Sequence, residues 1–251
     1  MTGRLAIVGL GPGAASMRTP QAEAALADAT DLVGYGPYLD RVAAEPDQRK
    51  HASDNREELG RARHALLLAA SGRRVAVVSS GDAGVFAMAS AVFEAVEAGE
   101  PGWRDLEITV VPGISAMFAT AARLGAPLGA DFCAISLSDN LKPWETVLRR
   151  LRAVAEAGFV IALYNPLSAA RPWQLGAAFD LLREILAPAT PVVFATAVSR
   201  PEERVAITTL ARAEPSAADM RTLVLIGSAA TRTIERHGAP PLVYSRRSVP
   251  A

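Results

Sequence analysis

The chain has 251 residues, half of them hydrophobic and 21% charged, with 26 basic side chains against 26 acidic ones and a single cysteine. A chain of this length buries about three quarters of the surface its unfolded form exposes, so it needs neither metal nor disulfide staples for a core. Cys133 has no second cysteine to pair with, and His51, His64 and His237 lie far apart without metal-ligand spacing. Zero formal charge removes the electrostatic case for nucleic acid. The expected setting is the reducing cytoplasm, with no bound metal. The opening apolar run, Leu5 to Leu10, is too short for a signal segment or a membrane span, so no membrane association is expected.

Short apolar runs alternate with helical patterns from end to end, which predicts an α/β protein with largely parallel strands. Strands are predicted at Leu5–Leu10, Leu32–Gly34, Val75–Ser79, Ile108–Val111, Phe132–Ser136, Phe159–Tyr164, Val192–Thr196, Val205–Thr209 and Leu223–Ile226. Thr19 followed by Pro20 predicts a capped helix start, and the helix continues through Ala22, Leu26 and Ala29. Asp54 with Glu57 resembles a capping box opening a helix to Ser71. Further helices are predicted at Val85–Ala98, Ser115–Leu124, Trp144–Ala157 and Trp173–Leu186. The strand that stops on Val111, Pro112 and Gly113 is the expected boundary between an N-terminal α/β domain, 1–112, and a C-terminal α/β domain, 113–251.

Candidate site residues gather in the turns that follow strands. Gly9, Leu10, Gly11, Pro12 and Gly13 close the first strand with G-x-G-x-x-[GA] spacing. A dinucleotide turn feeds directly into a helix and pairs with an acidic residue ending the next strand. Here the capped helix waits until Thr19 or Pro20, and the next strand ends in Tyr35, Gly36 and Pro37. The glycine turn is therefore read as bare backbone that a ligand approaches. The turn Ser79 to Phe86 contains Gly81 and Asp82. Asp82 is read as the N-cap of the following helix, a role that leaves the neighbouring backbone open to ligand contact. Pro112 to Ala116 and Tyr164-Asn165-Pro166 are two further turns of this kind, with Ser115 available as a cap or as a ligand contact. Four such turns describe a pocket lip. No nucleophile elbow, Walker loop or zinc-protease motif is present, which weakens hydrolase, kinase and zinc-enzyme readings.

These motifs resemble, over nearly the whole chain, the tetrapyrrole methylases, S-adenosylmethionine-dependent enzymes of corrin and sirohaem biosynthesis. The family's G-x-G-P-G corresponds to Gly9 to Gly13, its Gly-Asp-Pro turn to Gly81, Asp82 and Ala83, and its V-P-G-[IV]-[ST]-[AS] to Val111 to Ala116. Ala83 stands where the family has proline. Val33 to Tyr38, Ser79 to Val85, Ser136 to Asp139 and Leu163 to Pro166 are most similar to the branch that methylates precorrin-3B at C17 and contracts the ring to precorrin-4.

The resemblance implies two α/β lobes with an active-site cleft between them, a homodimer, and S-adenosyl-L-methionine as cofactor, released as S-adenosyl-L-homocysteine. Carried over by motif, cofactor contacts fall on Gly11, Pro12, Ser80, Gly81, Asp82 and Val85, on Ser115 and Ala116, and on Asn165. Val198 and Thr222 are added by strand alignment, where ordinary strand-end packing is an equal reading. The macrocycle supplies the attacking carbon, so the protein chiefly aligns two reactants. Ring contraction moves protons, and Asp82, Asp139 and Lys142 are the catalytic candidates, with Tyr35 and His51 behind them. His51 lies in a polar stretch and is read first as a solvated surface histidine. Tyr35, Arg56 and Arg171, with Lys142, are candidates for the tetrapyrrole and its carboxylates. A cobalt-bound substrate methylated at the same carbon is the near alternative. An NAD(P)-dependent oxidoreductase and a tetrapyrrole carrier are the distant ones.

Overall fold

The computed structural model describes residues 3–54 and 57–248, which form two compact units, Met1–Ala116 and Met117–Ala251. Each is an α/β lobe with its own sheet and core.

The first unit contains strands β1 (Arg4–Gly9), β2 (Asp31–Tyr35), β3 (Arg49–Ser53), β4 (Arg74–Ser79) and β5 (Glu107–Val111) in the order β3-β2-β4-β1-β5, every pair parallel. Its helices are α1 (Pro20–Asp28), the one-turn α2 (Gly36–Leu39), α3 (Glu58–Ala70) and α4 (Met88–Ala98). A parallel sheet covered on both faces requires apolar side chains on both, and the strands supply them. Leu5, Ile7, Val75 and Val77 face α3 and α4, while Val8, Ala76 and Val78 face α1. Helix α1 begins as the sequence predicts, with the Thr19 hydroxyl accepting from Ala22 N at 3.1 Å and proline in the first turn. Helix α3 opens later than the Asp54 start predicted, with Glu57 as its N-cap, and the Glu57 carboxylate accepts from the Asp54 N–H at 3.3 Å.

Strands β1 and β4 are neighbours, yet the helices that follow them pack on opposite faces of the sheet, α1 on one and α4 on the other. Such a switch point opens a crevice beyond the carboxyl ends of the two strands. The Gly9–Gly13 and Ser79–Gly84 turns both lie there.

The second unit contains α5 (Ala116–Leu124, beginning on the last residue of the first unit), β6 (Gly125–Ala126), β7 (Phe132–Ser136), α6 (Trp144–Glu156), β8 (Val160–Tyr164), α7 (Gln174–Ile185), β9 (Pro191–Thr196), β10 (Arg204–Thr209), β11 (Thr222–Ile226), β12 (Thr231–Ile234) and β13 (Leu242–Ser245). Its main sheet, β10-β9-β11-β8-β7, corrects the expectation of largely parallel strands: only β7 and β8 run parallel, and the other three pairings are antiparallel. No helix separates β9 from β10, and a connection that short returns the chain antiparallel. Helices α6 and α7 cover one face through Val147, Leu151, Leu175 and Phe179. The other face packs Ala162, Val193, Leu223 and Leu225 with Met117 and Leu124 of α5 and Val243 of β13.

Among the described residues four strands escape the sequence pattern: β3, β12, β13 and the two-residue β6 that lies beside β13. His51 lies in β3, half-buried, so the solvated-loop reading of this residue is corrected. Its Nε2 meets Asp31 Oδ1 at 2.8 Å, and Nδ1 meets His64 Nε2 at 3.2 Å. No described helix is long and apolar enough to cross a membrane.

Candidate active site

In the first unit, three strand ends meet backbone to backbone. Gly11 N donates to Gly81 O at 3.1 Å and Gly81 N to Gly11 O at 2.9 Å, with both residues at φ near +68°. A methyl group on Gly9 would stand 2.7 Å from Gly113 N and 2.8 Å from Gly81 O. Glycine is thus required where β1, β4 and β5 converge, because any side chain would strike main chain.

Asp82 fastens this junction. Its Oδ1 accepts from Gly84 N at 2.8 Å and its Oδ2 from Gly113 N at 3.0 Å, joining the turn after β4 to the turn after β5. The N-cap reading of Asp82 is therefore corrected: α4 begins later than predicted, at Met88, and Ser79 Oγ accepts from Met88 N at 3.2 Å. Between them the chain passes through Phe86 at φ +50°, half exposed.

Arg41, which no motif singles out, organises the Gly11 turn. Its Nη2 donates to the carbonyls of Leu10 (3.1 Å), Gly11 (2.8 Å) and Gly13 (3.3 Å), and its Nη1 to Ser80 Oγ at 3.0 Å. The Arg41 carbonyl is itself held by Arg18 Nη2, and Arg18 pairs with Glu23 at 3.2 Å. Gly11, Pro12, Ser80, Gly81, Asp82, Ser115 and Ala116 are thereby gathered at one end of this sheet. Val85 follows on the same turn. Tyr35 ends β2 at that end too, with its ring edge-on to Tyr38 at 5.2 Å between centroids.

In the second unit, Asn165, Val198 and Thr222 come together at one end of the main sheet, since Thr222 pairs with Thr196 and Val224 with Leu163. Asn165 is exposed, holds φ +51° and donates from Nδ2 to Ser136 Oγ at 2.9 Å. Val198 is buried between Ala197 (φ +51°) and Ser199 (φ +62°). The Thr222 hydroxyl meets Thr196 Oγ1 at 2.7 Å, accepts from Asp219 N at 2.9 Å and donates to Asp219 Oδ1 at 3.0 Å, so its capacity is used within the sheet end.

Asp139 follows β7 and accepts from Gln174 Nε2 at 3.1 Å, an amide at the start of α7 that is 2% exposed. Burial, and then the neighbouring Arg150 charge, push the Lys142 ammonium below its usual range, and Asp139 opposes them. Arg171 is committed locally: Nη1 donates to the Asn165 carbonyl at 3.0 Å. Arg56 lies outside the described residues. Among those described, no group of three or more His, Cys, Asp or Glu side chains is arranged to hold a metal ion.

Residues 4–214 match the family of Tetrapyrrole (Corrin/Porphyrin) Methylases, and the chain belongs to it. A precorrin-3B C(17)-methyltransferase from Sinorhizobium sp is 59% identical over 247 residues, covering 98% of this chain and 97% of that protein. A probable cobalt-factor III C(17)-methyltransferase from Salmonella typhimurium is 40% identical over 228 residues, covering 90% of this chain and 93% of that one. The solved structure of the methyltransferase CobJ has a TM-score of 0.92 at 53% identity, covering 97% of this chain and 100% of that one.

Proposed function

We propose that this protein is an S-adenosylmethionine-dependent methyltransferase that methylates precorrin-3B at C17 and yields precorrin-4 in cobalamin biosynthesis. The observation that carries this reading is the 59% identity to the Sinorhizobium precorrin-3B C(17)-methyltransferase along almost the full length of both chains. The cobalt-bound substrate is the second reading, favoured by the 40% identity to the Salmonella relative. An oxidoreductase reading of the glycine turn finds no support, because β2 ends in Tyr35 where a dinucleotide site has an acidic residue, and the likeness is to methyltransferases. The carrier reading leaves unexplained the likeness to methyltransferases.

The donor set suits S-adenosylmethionine. The first unit offers a bare glycine junction that excludes side chains, an apolar contact in Val85, and a Ser80 hydroxyl whose proton meets no acceptor among the described residues. We assign Gly11, Pro12, Ser80, Gly81, Asp82, Val85, Ser115 and Ala116 to the cofactor. Asn165, Val198 and Thr222 of the second unit are assigned to the cofactor by family position alone, Thr222 through its place at the strand end rather than its hydroxyl. When bound, S-adenosylmethionine supplies the methyl group as a sulfonium substituent. The chain's own work is orientation, which turns an encounter of two molecules into a reaction within one complex. Asp82 serves by holding two turns together. Asp139, steadied by Gln174, and Lys142 are assigned to the protons of ring contraction, and Tyr35, Arg56 and Arg171, with Lys142 beside them, to the tetrapyrrole and its carboxylates. A cytoplasmic homodimer is part of the same reading, and light scattering at twice the chain mass checks the dimer.

The test is accurate-mass analysis after incubating precorrin-3B, and separately its cobalt-bound counterpart, with methyl-deuterated S-adenosylmethionine. One labelled methyl on precorrin-3B supports the first reading. Label on the cobalt compound alone transfers the assignment to the second, and label on neither, with the protein folded, overturns both.

A further inference from the structure

We infer that Arg41 is a positioning residue that fixes the Ser80 hydroxyl as a hydrogen-bond donor to an acceptor oxygen of the cofactor. The inference rests on the methyltransferase reading above. A serine hydroxyl has one proton to give and two lone pairs to receive with. Arg41 Nη1 occupies a lone pair of Ser80 Oγ at 3.0 Å, and a guanidinium can only donate. The hydroxyl proton is thereby turned away from Arg41, and no described side chain or carbonyl accepts it. Ser80 is partly exposed beside the glycine junction, so a ligand seated there is the group that can take that proton.

The same guanidinium draws three carbonyls of the Gly11 turn, those of Leu10, Gly11 and Gly13, onto one nitrogen. That side of the turn is closed by the cation, and the shape of the turn is tied to the orientation of Ser80. A lysine keeps the charge but presents a single nitrogen, without the planar fork that spans the turn and Ser80 together. The arrangement is braced from behind by Arg18, which donates to the Arg41 carbonyl while pairing with Glu23.

The experiment is calorimetric titration of S-adenosylhomocysteine into the wild type, Arg41→Lys, Ser80→Ala and the double variant, with the KM for the tetrapyrrole measured alongside. The expected result is a loss of cofactor affinity of about tenfold or more in each single variant, the size of one lost charge-assisted hydrogen bond. The double variant should be little worse than the worse single one, because both remove the same donor. The tetrapyrrole KM should stay within about twofold, which a general loosening of the fold would not spare. Arg41→Lys binding as tightly as the wild type, or fully additive losses, overturns the inference and leaves the methyltransferase reading standing. Failure of the wild type to bind S-adenosylhomocysteine overturns both. Should Arg41→Lys fail to fold, Ser80→Ala removes one oxygen only, and unchanged affinity in that variant refutes the role.

Discussion

Asp82 lies in the most motif-dense turn of the chain, and its geometry predicts a mainly architectural role. Asp82→Ala deletes two charge-assisted hydrogen bonds, to Gly84 N at 2.8 Å and Gly113 N at 3.0 Å. Bonds to a charged group contribute roughly 1.5–3 kcal/mol each, and Gly84 is exposed, where water replaces part of the loss. A total of about 3 kcal/mol is expected, which for a chain of this size lowers Tm by roughly 6–12 °C. The Gly113 amide should exchange with deuterium roughly thirtyfold faster, the factor for about 2 kcal/mol of lost protection at one bond. Scanning calorimetry and exchange mass spectrometry over peptides spanning 79–90 and 110–118 measure both. Asp82→Asn keeps one acceptor and turns an amide N–H toward the second donor, so it should fall between alanine and wild type. An Asp82→Ala protein that melts within about 1 °C of wild type with unchanged exchange would refute the strut. A loss of turnover in Asp82→Asn at wild-type stability would point to a proton-transfer role instead.

The remaining predictions concern charge and reactivity. Burial raises the Asp31 carboxyl pKa, but hydrogen bonds from Arg73, His51 and Thr30 and the Arg73 charge outweigh it, so the group lies below its ordinary value. Its contribution to stability is present above about pH 4, the unfolded value, and is lost as pH falls through the depressed folded value. Asp31→Asn should therefore flatten the Tm profile below pH 4, and an unchanged acid limb refutes the linkage. Burial pushes the Cys133 thiol up to about 11, so native protein at pH 8 should resist iodoacetamide. Complete alkylation within minutes would contradict it. Lys142→Met should raise the KM for the tetrapyrrole several-fold while cofactor affinity stays constant. Equal losses in both would move Lys142 out of the substrate role.

Much of the fold is legible because most strands of the first sheet are buried on both faces and read as continuous apolar runs, as in Val75 to Val78. β3 fails that test. Its residues Arg49, Lys50, His51, Ala52 and Ser53 form an edge strand secured by polar bonds, with Lys50 Nζ on the carbonyls of Leu39 at 2.8 Å and Val42 at 2.7 Å. Its length is satisfied by partners distant in sequence, which no local period records. Strand direction in the second unit is lost for another reason. An apolar run reads the same in either orientation, and only the missing helix between Thr196 and Arg204 marks the reversal.

The candidate site divides along the same line. Glycines that let backbones touch leave a signature: a Cβ on Gly9, Gly11 or Gly113 would stand under 3.0 Å from main chain, and Gly81 has the space but holds φ +67°, so all four are legible in the sequence. Arg41 is not, because its partners are mostly main-chain carbonyls, and any residue supplies a carbonyl. Strain adds a distinction that composition hides. The turns feeding β4 and β8 reach positive φ with glycine, Gly72 at +89° and Gly158 at +79°. After the strands, the left-handed positions are taken in part by residues with side chains: Phe86 after β4, Asn165 after β8, Ala197 and Ser199 after β9. A left-handed conformation costs about 1–2 kcal/mol for such residues, a cost glycine would avoid. At Asn165 the compensation is visible, in an amide held by Ser136. The left-handed residues that carry side chains, Phe86, Asn165, Ala197 and Ser199, all follow strands, so it is beyond the strands' carboxyl ends, where the motif turns lie, that the chain keeps side chains in a conformation glycine would hold without strain.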